Sequence, residues 1–136
     1  MKSRNESLIR LKKFQVDEKR RAVSQIELMI ADFERMADEL DQQIELEHQK
    51  TGISDSAHFA YSTFAKAALQ RRDNLRNSAN DMKGQLESAQ DALAEAVEDL
   101  KKVELLTERE HQRVDAAEAK AEQAEMDELG RLRFRR

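Results

Sequence analysis

The chain has no cysteine, no proline, no tryptophan and only three glycines among 136 residues, and its aromatics stop at five Phe and one Tyr. Without cysteine there is neither a disulfide framework nor a cysteine-type zinc site, which suits a reducing cytoplasm. No apolar run approaches the ~18–20 residues that span a bilayer, and the opening "MKSRNESLIRLKKF" lacks the uninterrupted apolar stretch of a signal peptide. Membrane insertion and export are therefore not expected. With so little bulky apolar material and so few turn residues, a compact α/β domain is not expected either.

What is present is charge and periodicity. Charged residues make up 38% of the chain, with a net charge of -4, and the mean hydropathy is -0.86. Disorder would predict no periodicity, yet one heptad register places Ile9, Val16, Val23, Ile30, Ala37 and Ile44 at a and Ile26, Phe33 and Leu40 at d. Nine of twelve a and d sites in this half are apolar. A second frame runs from Tyr61 to Ala124 through Ala65, Ala68, Leu75, Ala79, Met82, Leu86, Ala89, Leu93, Ala96, Leu100 and Val103, with sixteen of nineteen sites apolar. A repeat of ~3.5 held this long implies a left-handed supercoil. The expected fold class is all-α, a long antiparallel two-helix coiled-coil hairpin with a C-terminal helical overhang. Residues 1–136 read as a single coiled-coil domain: helix 1 over about 3–50, a hinge at 51–57, helix 2 over about 58–128 and a basic tail at 129–136.

The hinge rests on "TGISDSA", where Gly52 can supply a left-handed C-terminal cap and Ser54, Asp55 or Ser56 can cap the next helix. Folding back near residue 54 sets opposite one another residues whose numbers sum to about 108. Charge supports that direction. Residues 1–21 carry eight Lys and Arg against three acids, and residues 84–130 carry fourteen acids against five bases. Residues 22–50 (eight acids, two bases) likewise face residues 51–83 (three acids, five bases). A parallel dimer would stack base on base. In this register Met1 meets about residue 107, and helix 2 runs on without a partner from the same chain. There the seam thins to Thr107, Glu110, Val114, Ala117, Ala121 and Ala124, which bury little area at ~25 cal/mol per Å². The overhang is either a frayed tail or a free end meant for another protein.

Glu45-x-x-His48 and Glu108-x-x-His111 match the Glu/His spacing of di-iron bundles. An antiparallel hairpin sets the two pairs on the order of 80 Å apart at ~1.5 Å per residue, so one hairpin cannot unite them. Solvated histidines and no metal or cofactor are the expectation. With no Gly-rich phosphate loop and no nucleophile and base converging on a pocket, the chain does not read as an enzyme. "RLKKFQVDEKRR", residues 10–21, is basic as a DNA-reading zipper arm is, but Val16 and Val23 already commit it to the seam, so nucleic acid is not an expected partner.

Three aromatics crowd into "HFAYSTFAKAALQ", residues 58–70. Tyr61 falls at d, Phe64 at g and Phe59 at b, so they cannot all be core. Either Phe59 and Phe64 close over the loop as an end cluster, or Phe64 with Ala65 and Ala68 forms an exposed patch of the kind that anchors proteins. The tail "RLRFRR", residues 131–136, adds four Arg behind an acidic helix, suited to the helix dipole, an acidic protein or an anionic lipid surface.

Taken with "FERMADELDQQIE", "GISDSAHFAYSTFAKAALQRRDNL" and "QAEMDELGRLRFRR", the chain resembles, over nearly its whole length, the flagellar export protein family FliJ, particularly its alphaproteobacterial members. The resemblance implies an antiparallel two-helix coiled coil similar to the shaft of the rotary ATP synthase gamma subunit. It further implies that the joined chain ends enter and stimulate the ring of the export ATPase FliI, that the far end contacts the export gate protein FlhA, and that empty export chaperones are escorted. The implied gate contacts are Phe64, Ala68, Arg71 and Leu75; the implied ATPase contacts are Leu8, Leu11, Met126, Leu129, Arg131 and Arg133. The implied location is cytoplasmic, peripheral to the inner membrane at the flagellar base, without transmembrane insertion. The rival readings are a generic coiled-coil adaptor or secretion chaperone with no ATPase partner, and a metal-dependent enzyme.

Overall fold

The structure, a computed structural model, describes residues 2–134. It consists of α1 (Lys2–Thr51) and α2 (Thr63–Phe134), antiparallel and packed on each other. This is the all-α hairpin that the two heptad frames require. Neither helix contains proline, and α1 has no internal glycine, so nothing in the sequence interrupts the i to i−4 ladder. α1 stops where Gly52 takes φ 73°. Its N–H returns to the His48 carbonyl at 2.8 Å, the left-handed cap expected of that glycine.

The start of α2 differs from the sequence expectation. It begins at Thr63 rather than near residue 58, and its cap is Ser62, whose Oγ accepts the Ala65 N–H at 3.2 Å. Asp55 spends its side chain on a local turn instead, accepting the Ala57 N–H at 3.0 Å. Cross-helix pairing still follows a sum near 108, as in Glu47 with Ser62 and Ile30 with Ala79, while the long side chains of Arg72 and Arg76 reach Asp41 from up to two turns further along α2. At the far end, the expected basic tail is helical through Phe134. Arg135 and Arg136 lie outside the described residues.

The helices divide into two compact units. In the unit Asp17–Ala94, the buried seam is Val23, Ile30, Ala37 and Ile44 against Ala65, Ala68, Ala79 and Met82. Its tightest cluster is Ile30 with Ala79 and Met82, enclosed by Ile26, Phe33 and Leu86. These are a and d residues of the two frames, and the alternation of Ala with larger side chains lets the backbones approach. The edges of this seam are unlike each other. Among the described residues, all the cross-helix ion pairs lie on one: Asp41 with Arg72 and Arg76, Asp38 with Arg76, and Glu34 with Lys83 at 4.0 Å. This is the meeting of acidic 22–50 with basic 51–83 that the charge pattern anticipates. Along the other, g-position edge stand Met29 and Phe64, both exposed, with no cross-helix ion pair among the described residues.

In the unit Met1–Val16 with Glu95–Arg136, Val16 and Ala96 are buried and Ile9, Leu100 and Val103 half-buried. The complementary charges of the two segments produce no ion pair between them among the described residues; the pairs there, such as Arg131 with Glu128, lie within α2. Half-burial of the seam ends at Glu110, and every side chain from 111 to 129 is exposed.

Candidate interaction surfaces

The loop end of the hairpin is built by a clasp that the sequence reading missed. His48 Nε2 lies 2.6 Å from the Tyr61 hydroxyl, with the rings tilted at 5.4 Å between centroids. Next to this pair in the sequence, the Ser62 hydroxyl donates to Glu47 at 2.9 Å while accepting its capping bond. His48 is thus half-buried on the partner segment, a correction to its reading as a solvated side chain. The signal was available: 47 with 62 and 48 with 61 obey the expected pairing closely. It was masked because Ser54, Asp55 and Ser56 offer equivalent cap chemistry nearer the glycine.

Beyond this clasp the loop presents Phe59, 96% exposed and stacked on the His58 ring at 4.7 Å. Phe64 is 55% exposed. Neither folds over the loop as an end cluster. The expected patch also changes composition, because Ala65 and Ala68 are buried at 0% and 6% exposure and belong to the seam. Of the four gate-contact candidates, Phe64 and Arg71 are therefore surface side chains, Leu75 is half-buried and Ala68 offers almost no surface. Phe64 and Arg71 are seven apart and share one helix face.

Arg72 occupies an a position, the one charged residue among the seam sites between Tyr61 and Val103. Its guanidinium reaches Asp41 at 2.9 Å and Asp73 at 3.0 Å. Burial alone would raise the Asp41 carboxyl, but hydrogen bonds and charge from Arg72 and Arg76 outweigh it and hold the group below its ordinary value. The hydrogen bond to Asp41, then that to Asp73, raises Arg72 in turn.

At the chain ends, Leu8 shares a shallow depression with Arg4, Asn5, Val103, Leu106, Thr107 and Glu110, and Leu11 is exposed beside it. Met126, Leu129, Leu132 and Arg133 flank another depression on α2 itself, around Gly130. The six ATPase-contact candidates thus form two sets. With ~1.5 Å rise per residue, Met126 lies on the order of 30 Å along α2 from Thr107, so the structure does not bring Leu8 and Leu11 together with the C-terminal residues. Among the described residues no three His, Cys, Asp or Glu side chains converge as a metal site, and His111 lies 3.8 Å from Asp115. No helix is long and apolar enough to cross a membrane.

A family model described as "Flagellar FliJ protein" matches residues 1–136. No curated protein and no solved structure matches the chain.

Proposed function

The chain belongs to the flagellar FliJ family, which makes it a flagellar protein-export component, and we propose that it works as a coupling component within that apparatus. We read it as the alphaproteobacterial type on the strength of residues 52–75. Two separate surfaces, Leu8 with Leu11 and the α2 extension past Glu110 with Met126, Leu129, Arg131 and Arg133, engage and stimulate the hexameric export ATPase FliI. The loop-proximal end contacts the gate protein FlhA through Phe64 and Arg71, flanked by Leu75, with Ala68 beneath them setting the helix spacing. Escort of empty export chaperones is the third part of the reading, and the protein is cytoplasmic, peripheral to the inner membrane at the flagellar base. It is a binding and regulatory component, not itself a catalyst.

The observation that carries the reading is the unpaired extension. From residue 111 onward α2 keeps its helical ladder with no side chain buried against α1. A lone solvated helix is marginal in water, so a segment of this length that continues the heptad pattern is suited to packing on another protein. The edge carrying Phe64 supports the loop-end assignment in the same way, because the ion pairs that close the hairpin lie on the other edge and leave the aromatic side free.

The test is ATP hydrolysis by the cognate FliI with the whole chain, without it, and with a chain ending after Glu110. Stimulation by the whole chain and none by the shortened one supports the reading. Equal stimulation by both would assign ATPase contact elsewhere, and no stimulation by either would favour an adaptor without an ATPase partner.

A further inference from the structure

The last two turns of α2 carry a chemistry that the rest of the extension lacks. Met126, Leu129 and Leu132 are 68%, 63% and 53% exposed, and Phe134 is 95% exposed. At ~100° per residue the three aliphatic side chains fill one arc of about 120°; Met126 and Leu129 turn away from the stripe of Ala117, Ala121 and Ala124 that continues the heptad seam, and Leu132 adjoins it. Arg133 stands within this arc, and Arg131, across the helix, is held by Glu128 at 2.7 Å. The sequence "RLRFRR" places four Arg within residues 131–136. Immediately upstream the helix is acidic, with Glu118, Glu122, Glu125, Asp127 and Glu128.

This arrangement discriminates between kinds of occupant. Glu122 and Glu125 stand two turns back from Leu129 and Leu132 on the same arc. A groove that took the helix lengthwise along this face would have to bury both carboxylates. A surface met by the tip alone would not. We propose that the C-terminal tip is an anchor for an anionic phospholipid surface. Guanidinium groups pair with lipid phosphates, Leu132 and Phe134 enter the boundary between headgroups and acyl chains, and the acidic stretch, repelled by the same surface, holds the helix upright instead of flat. Binding through so few residues is weak and salt-sensitive. Because Arg131 and Arg133 also belong to the ATPase-facing set, lipid and ATPase are exclusive occupants of this end, and the unassembled chain is the form that meets the membrane.

The test uses the purified full chain with no other protein, so its result is independent of the ATPase reading. Co-sedimentation with phosphatidylglycerol-rich vesicles should exceed that with phosphatidylcholine vesicles by several-fold and fall as salt rises. The double variants Leu132→Ser with Phe134→Ser, and Arg131→Gln with Arg133→Gln, should each lose most of that excess with unchanged circular dichroism, while Phe59→Ser keeps it. The chain has no Trp, so Phe134→Trp adds a single fluorophore whose emission should shift to the blue on anionic vesicles. Equal capture by both vesicle types, retained capture by both tip variants, or an unshifted Trp would overturn the proposal. So would loss of ATPase stimulation in the Arg variant alongside no vesicle binding by the unaltered chain, which would give the tip to a protein alone.

Discussion

Arg72 sits at a seam position of α2, yet its guanidinium turns to the edge and meets Asp41 of α1 at 2.9 Å, where Arg76 joins the same carboxylate. One acid thus fixes two consecutive turns of the opposite helix. Asp41→Asn removes the charge both Arg share while keeping a hydrogen-bonding side chain. Because Asp41 is 36% exposed, solvent screens part of the effect. The expected loss is about 0.5–1.5 kcal/mol, read as a fall in Tm of a few degrees. An unchanged melt would mean that the pair orients the helices without stabilising them.

The same carboxylate makes a pH prediction. Asp41 is held below its ordinary value of 3.8 in the fold, so the unfolded chain takes up this proton more readily than the folded one. Its contribution is fully present above that ordinary value and is lost as the pH falls through the lowered folded value. Chemical denaturation from neutral pH down into the acid range should show a smaller acid-dependent loss for Asp41→Asn than for the unaltered chain. Parallel curves would remove Asp41 as a source of the acid sensitivity.

Two glycines should respond oppositely to alanine. At neither Gly52 nor Gly84 would an added Cβ meet another atom within 4 Å, so backbone conformation alone decides. Gly52 has φ 73°, where an L side chain costs roughly 1–2 kcal/mol. Gly84 lies inside α2, where alanine gains about 0.5–1 kcal/mol. Thermal melts of Gly52→Ala and Gly84→Ala should move down and up respectively; movement in the same direction would contradict this account of the hinge.

Burial, rather than hydrophobicity, should decide cost along α1. Ile30 is enclosed by Ala79 and Met82, so Ile30→Ala is expected to cost ~2–4 kcal/mol. Leu28, two residues earlier and 65% exposed, should change stability by no more than about 0.5 kcal/mol when cut to alanine. Equilibrium denaturation of both variants checks the seam register directly, since a slipped register would exchange the two outcomes.

For the loop end, Phe64→Asp is expected to weaken binding to the gate protein on the order of tenfold while leaving helix content and ATPase stimulation near their starting values. Ala68→Asp should instead lower Tm, because Ala68 is buried in the seam. Loss of helicity in Phe64→Asp would assign that ring to the fold.

The division between what was legible and what was not follows from range. The frames from Ile9 and from Tyr61 to Ala124 announce their seams because most a and d residues repeat the same local choice, and nine of twelve and sixteen of nineteen concordant sites leave one phase for each helix. Gly52 is equally legible, since a left-handed cap is a property of a single residue. Ser62 was not, because Ser54, Asp55 and Ser56 are as good at capping in isolation, and the choice among them depends on Glu47 and His48 reaching across from α1. Ala65 and Ala68 were read both as seam residues and as part of a patch with Phe64; alanine suits either environment, and the packed partner decided for the seam.

By itself, then, the order of residues determined two long helices, their antiparallel direction and the place where the pairing runs out, since hydrophobic period, net charge of segments and one glycine are sums over local or cumulative properties. The tertiary structure alone decided where α2 starts, which edge of the seam is closed by Asp41, Arg72 and Arg76, and which aromatics are left in water. Those outcomes turn on differences of one residue in register, and at that scale competing local preferences are nearly equal until side chains from the other helix choose between them.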